Sequence, residues 1–245
     1  MSTERLRSAC ASLDAGVLAI QEVDRGQARS HGADQTAEVA NALGADHWRF
    51  APAIVGEPGG KWRAARATAT EDDDDPAEPA YGVGLVSRLP VRAWHSLRLK
   101  PAPGRWPVVV PGGAGRRGGV VLFPDEPRAA LAADLGDLVV ATAHLSFVPG
   151  YNLVQLRHVV RWLSLLGPRA VLVGDFNVPA PLPRLVSGWR SLAQVKTFPA
   201  PRPRLQIDHA LAHGSLPAAT GAEAVALPLS DHRALVVTLG SDAWP

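Results

Sequence analysis

A chain of 245 residues, 47% of them hydrophobic and 20% charged, suits one globular domain of the larger kind or two small ones. Its formal charge of +2 gives no strong affinity for polyanions from net charge alone, and its single cysteine, Cys10, excludes an internal disulfide and a cysteine metal cluster. No stretch approaches the ~20 consecutive apolar residues of a membrane span, and the start, Met1 to Arg7, lacks the apolar core of a signal peptide, so a cytoplasmic protein is expected.

In chain order, Leu6, Ala9, Cys10 and Leu13 fall at helical spacing and predict an amphipathic helix over residues 3–14 with Gly16 beyond its end. The apolar run from Val17 to Val23 reads as a strand, expected to be parallel in type and to form the second half of a strand-helix-strand unit. Asp34 is placed to cap a helix holding Val39, Ala40 and Leu43, with Gly44 as its stop. Residues 50–55 read as a short strand. Residues 56–79 read as a loop whose acidic run, Glu71 to Asp75, stays solvated by self-repulsion. Strand character returns at Tyr81 to Val91. Arg88 there reads as an edge residue in a salt bridge rather than a phosphate clamp. The Pro- and Gly-rich residues 101–119 predict a loop or hairpin connection before Val120–Phe123, with Arg105, Arg116 and Arg117 available to an anionic substrate.

Leu138 to Leu145 predicts a strand. Leu153, Leu156, Val159, Val160, Leu163 and Leu166 then recur at helical spacing, and Gly167-Pro168 stops that helix before a second apolar run, Val171-Leu172-Val173. This is a complete strand-helix-strand crossover. Its second strand ends in Gly174-Asp175-Phe176-Asn177. In extended chain Asp175 and Asn177 would share one face while Phe176 packs on the other. By itself this could be an ordinary Asp-Asn turn. Residues 205–212 and 234–239 complete the strands, and motifs spread from Glu22 to His232 favour a single domain over residues 1–245.

Polar groups gather where these apolar runs stop: Gln21-Glu22-Val23-Asp24, Thr142-Ala143-His144-Leu145, Gly174-Asp175-Phe176-Asn177, Ile207-Asp208-His209 and Ser230-Asp231-His232. Each motif is weak by itself. Their ordered combination over Val17 to Leu239 resembles the endonuclease/exonuclease/phosphatase superfamily of metal-dependent phosphohydrolases.

The resemblance implies an α/β (α+β) fold: a four-layer sandwich of two mainly antiparallel sheets with helices on both outer faces. It also implies a monomeric hydrolase acting on a phosphodiester or phosphomonoester, with nucleic acid among the candidate substrates. The alternatives are a DNA endonuclease or exonuclease in particular, and a non-catalytic relative that only binds phosphorylated ligands. Phosphate-ester hydrolysis needs charge neutralised on the phosphoryl oxygens and an activated water, and hard oxygen ligands suit Mg²⁺ or Mn²⁺. Glu22 is the expected metal ligand, with Asp231 binding metal or fixing the local network. The resemblance assigns His232 and Asp208 to a proton-transfer pair. Asp175 would position or deprotonate the attacking water, Asn177 would hydrogen-bond a phosphoryl oxygen, and His144 would donate to a non-bridging oxygen. The family's first strand carries an Asn that has no counterpart before Val17. The expectation is that the reading frame starts upstream of Met1, or that part of residues 101–119 covers the open edge.

Overall fold

The computed structural model describes residues 3–66, 78–110 and 118–240. The acidic run at residues 71–75 and Arg116 and Arg117 lie outside them. The first half of the chain supplies α1 (Thr3–Ala11), β1 (Val17–Arg25), α2 (Gln35–Leu43), β2 (His47–Gly56), β3 (Trp62–Ala64) and β4 (Ala80–Ser87). There follow β5 (Ala93–Leu99), β6 (Arg105–Val110), β7 (Gly119–Pro124), β8 (Arg128–Asp134) and β9 (Val139–Ala143). The last part adds α3 (Tyr151–Leu166), β10 (Ala170–Asp175), α4 (Leu182–Ser187), β11 (Arg190–Ser191), β12 (Asp208–His213), β13 (Ala219–Val225) and β14 (Ala234–Leu239).

These elements form the expected four layers. A four-stranded sheet in the order β1-β4-β2-β3 faces a six-stranded sheet in the order β11-β12-β10-β9-β8-β5. Alternation sorts the side chains of the six-stranded sheet. Ala129, Leu131, Ala133, Val140, Val171 and Ala210 turn inward and meet Ala51, Ala53, Val83 and Leu85 of the other sheet. Ala130, Ala132, Ala141, Ala143 and Leu172 turn outward onto Leu156, Val159, Val160 and Leu163 of α3. On the far side, Leu6 and Cys10 of α1 and Val39, Ala40 and Leu43 of α2 cover Val86, Leu18 and Ile20. The Asp34 side chain accepts from the backbone N–H of Thr36 and Ala37 at 3.0 and 3.1 Å, and Gly44 closes the helix at φ 60°, as its sequence predicts. Gly84 is required by this packing, because a Cβ there would stand 2.6 Å from Thr36 Oγ1.

Several expectations change. Among the described strands β1 is an edge strand whose one ladder is antiparallel, to β4, so it does not form the second half of a parallel unit there. Residues 105–110 do not cover it, since β6 pairs with β7 in a separate two-stranded ribbon. Trp62–Ala64, expected in a loop, pairs with β2. Strands β5, β8 and β13 have no clear sequence signal. In β8 and β13 the alternating residues are largely alanines, which carry little strand propensity and enter strands here through packing. The crossover β9-α3-β10 is parallel as expected and is the only parallel pairing among the described strands. No described helix is long and apolar enough to cross a membrane.

Candidate active site

The site is built where β10 stops and β12 begins. Their antiparallel register places Asp175 directly opposite Asp208. Gly174 permits the close approach of β10 to β9: its φ is 144°, and a Cβ there would lie 2.1 Å from the Ala143 carbonyl oxygen. Beyond Asp175 the chain turns. Asn177 adopts φ 51°, and its N–H donates to Asp175 Oδ1 at 2.8 Å, so the two residues are not in extended chain as the sequence suggests. The turn is fixed from both sides. Asn152 Nδ2 of α3 donates to the Asn177 carbonyl at 2.8 Å, and Phe176 is fully buried against the His209 ring. His209 Nε2 lies 2.8 Å from the Val178 carbonyl, which can only accept, so that nitrogen carries the proton and His209 is structural.

The turn brings Asn177 and Asp175 to His144 at the end of β9. His144 Nε2 is 3.4 Å from Asn177 Nδ2, 3.7 Å from Asp175 Oδ2 and 3.9 Å from Glu22 Oε1. Glu22 arrives from the opposite sheet. It is not at a strand end but at a bulge within β1, between Gln21 and Val23, with φ 58°. The bulge re-aims the carboxylate, whose side chain is 66% exposed. Gln21 anchors it across the core, donating from Nε2 to the fully buried Thr142 Oγ1 at 2.8 Å. Asp24, in the same motif, is occupied elsewhere by Arg29, whose NH2 reaches Asp24 Oδ1 at 2.6 Å.

The other half of the site comes from the segment before β14. His232 Nδ1 lies 2.8 Å from Asp208 Oδ2, the same oxygen that accepts from Thr197 Oγ1 at 2.5 Å. The His232 ring packs on Phe198 with centroids 4.8 Å apart. Asp231 is exposed, and its backbone carbonyl accepts from Ala200 N–H at 2.6 Å. Asp175, Asp208 and His232 each present a potential ligand atom, and these atoms lie within 4.8 Å of one another.

Electrostatics separate the groups. Burial, then the nearby Asp208 carboxylate, push Asp175 up to about 7. For His232 burial works against the charge, but the hydrogen bond and charge of Asp208 outweigh it and push the imidazole up to about 9. His144 is driven the other way by burial, the Arg128 guanidinium and His232, and stays neutral.

Two residues of this constellation carried no signal in the sequence. Arg128, at the start of β8, is 8% exposed and lays NH1 3.3 and 3.4 Å from the two ring nitrogens of His144. Its nearest carboxylate oxygen, Asp125 Oδ1, is 3.8 Å away, and its Nε has no hydrogen-bond partner. The other Asp125 oxygen already accepts from Ser146 Oγ and Ala102 N–H. Thr197, in an irregular loop, is fully buried. By contrast Arg88 is structural as expected, donating to the Leu43 carbonyl and to Asp14.

The sequence profile of the Endonuclease/Exonuclease/phosphatase family matches residues 2–232. The chain belongs to this family. Members are typically hydrolases of phosphoester bonds. Solved structures share the fold at low identity. The endonuclease/exonuclease/phosphatase of Beutenbergia cavernae DSM 12333 is 20% identical with a TM-score of 0.60, covering 98% of this chain and 66% of its own. A family protein from Leptotrichia buccalis C-1013-b is 12% identical with a TM-score of 0.63, covering 98% and 93%. The mannosyl-6-phosphatase Bt3783 of Bacteroides thetaiotaomicron VPI-5482 is 16% identical with a TM-score of 0.56, covering 97% and 91%. No curated protein matches.

The donor set fits a hard divalent cation. Asp175 and Glu22 flank His144 and Asp208 stands opposite Asp175, so three carboxylates converge on one place; burial first, and then the Asp208 charge, raise the Asp175 pKa there.

Proposed function

We propose that this protein is a metal-dependent phosphoesterase that hydrolyses a phosphate ester with an activated water, using Mg²⁺ or Mn²⁺. The observation that carries the reading is the meeting of Asp175, Asp208 and His232 within 4.8 Å, drawn from three separate segments and set beside His144 and Asn177. Glu22, with an adjacent carboxylate, would hold the ion, which when bound neutralises charge on the phosphoryl group. Asp175 orients the attacking water and accepts its proton, a task suited to a carboxylate raised to about 7. Asp208 fixes the His232 ring through Nδ1 and stabilises its protonated form, which leaves Nε2 to exchange a proton with the reacting oxygens. Neutral His144 would face the non-bridging oxygens, and Asn177 Nδ2, which also donates to the Leu145 carbonyl at 3.1 Å, would offer its remaining N–H beside it. Arg128 adds a permanent positive charge behind His144 that an incoming phosphoryl group completes. Asp231 acts in the supporting network through its backbone rather than as a principal ligand.

The test is direct. Chelator-treated protein is assayed with Mg²⁺, Mn²⁺ or neither against bis-p-nitrophenyl phosphate, p-nitrophenyl phosphate, plasmid DNA and phospholipid. Metal-dependent release of product from at least one of them is expected. Absence of turnover on all of them, with retained affinity for phosphate esters, would establish a binding protein instead.

A further inference from the structure

Asp208 and His232 come from distant parts of the chain, and one residue bonds both Asp208 and the backbone next to His232. Thr197 donates its hydroxyl to Asp208 Oδ2 at 2.5 Å, while its backbone carbonyl accepts from Arg233 N–H at 2.9 Å, next to His232. Its own N–H donates to the Leu205 carbonyl at 2.9 Å, shortly before Asp208 in sequence. The next residue, Phe198, lays its ring on the His232 ring, and Ala200 holds the Asp231 carbonyl by its N–H and Arg233 Nε by its own carbonyl. The segment from Thr197 to Ala200 is therefore a clamp between the two halves of the pair.

We infer that Thr197 is a positioning residue of this site: its hydroxyl, sharing Asp208 Oδ2 with His232 Nδ1, locks the carboxylate plane that orients the imidazole. The physical reason lies in the geometry of the acceptor. A carboxylate held by one donor can rotate about its last bond and still keep that donor. Two donors converging on one oxygen, one of them on a fully buried side chain, leave it a single orientation. Thr197 cannot satisfy its hydroxyl by turning to water, so its proton is committed to Asp208.

The inference rests on the phosphoesterase reading, and its test separates the two. Thr197→Ser and Thr197→Ala both lose the buried methyl and differ only in the hydroxyl, so packing losses cancel between them. Thr197→Ser is expected to keep kcat within about threefold of the parent, while Thr197→Ala loses about 10- to 100-fold in kcat with KM within about twofold. Equal kcat in the two variants overturns the proposal. A second readout needs no turnover: the Nδ1–H resonance of His232 in NMR spectra of ¹⁵N-labelled protein. It is expected to persist in the parent and Thr197→Ser and to broaden or vanish in Thr197→Ala, and an unchanged resonance in Thr197→Ala also overturns the proposal. If the parent hydrolyses nothing, the functional reading fails while the resonance still decides the role of Thr197.

Discussion

The two sheets contribute to the site in opposite ways. From the six-stranded sheet and the segments beside it come Asp175, Asp208 and His144, all buried, each held by register, a turn or a neighbouring side chain, with His232 clamped against them. From the four-stranded sheet comes Glu22, 66% exposed, on a bulge of an edge strand and anchored through its neighbour Gln21. In the proposed mechanism the proton-handling groups are thus fixed before any ligand arrives, whereas the exposed carboxylate would retain the freedom to reach a hydrated ion. Buried, preorganised groups can shift their proton affinity, and Asp175 and His232 do; on the proposed function the two arms would divide chemistry from charge.

The largest expected effect contrasts these arms. His232→Ala should lower kcat by about 10²- to 10⁴-fold at any metal concentration, because it removes a proton-transfer group. Glu22→Gln should instead raise the Mg²⁺ needed for half-maximal rate by about tenfold and recover at high metal, since its loss reduces ligand charge. Steady-state kinetics across a metal titration distinguish them, and identical metal profiles would erase the proposed division.

Arg128 sharpens the contrast within the buried arm. A guanidinium with an unpartnered Nε and its carboxylate neighbour at 3.8 Å is poorly compensated. Arg128→Met should cost about 10²-fold in kcat/KM while leaving Tm unchanged or higher. A lower Tm with intact kinetics would make Arg128 structural.

The smallest effect is on stability in the absence of metal. The raised pKa of Asp175 means that the native state binds its proton more tightly than the unfolded chain, so this group costs stability progressively as pH rises from about 4 to about 7 and costs most above that. In chelator-treated protein, Asp175→Asn should therefore raise Tm by about 5 °C at pH 8 and by almost nothing near pH 4. Thermal unfolding at both pH values measures this. A lower Tm for the variant at pH 8 would show that burial and the Asp208 charge do not penalise the ionised carboxylate.

How much of this the sequence held depends on the range of the interaction. The Asp34 cap and Gly44 stop of α2, the apolar repeat of α3 and the parallel crossover into Asp175 were legible because turn chemistry and periodicity act over a few residues. The ordered motifs also named Glu22, His144, Asp175, Asn177, Asp208 and His232, and the structure brings these side chains to one place. The alanines of β8 gave no warning of a strand, since only burial between α3 and the facing sheet makes them one. The bulge at Glu22 and the antiparallel edge position of β1 depend on pairing with β4, which the local sequence does not encode. Arg128 and Thr197 stand in no motif. Their meaning arises when β8 is laid beside β9, and when the loop at Thr197 closes over β12 and His232, because contacts between residues far apart in the chain are decided by sheet packing.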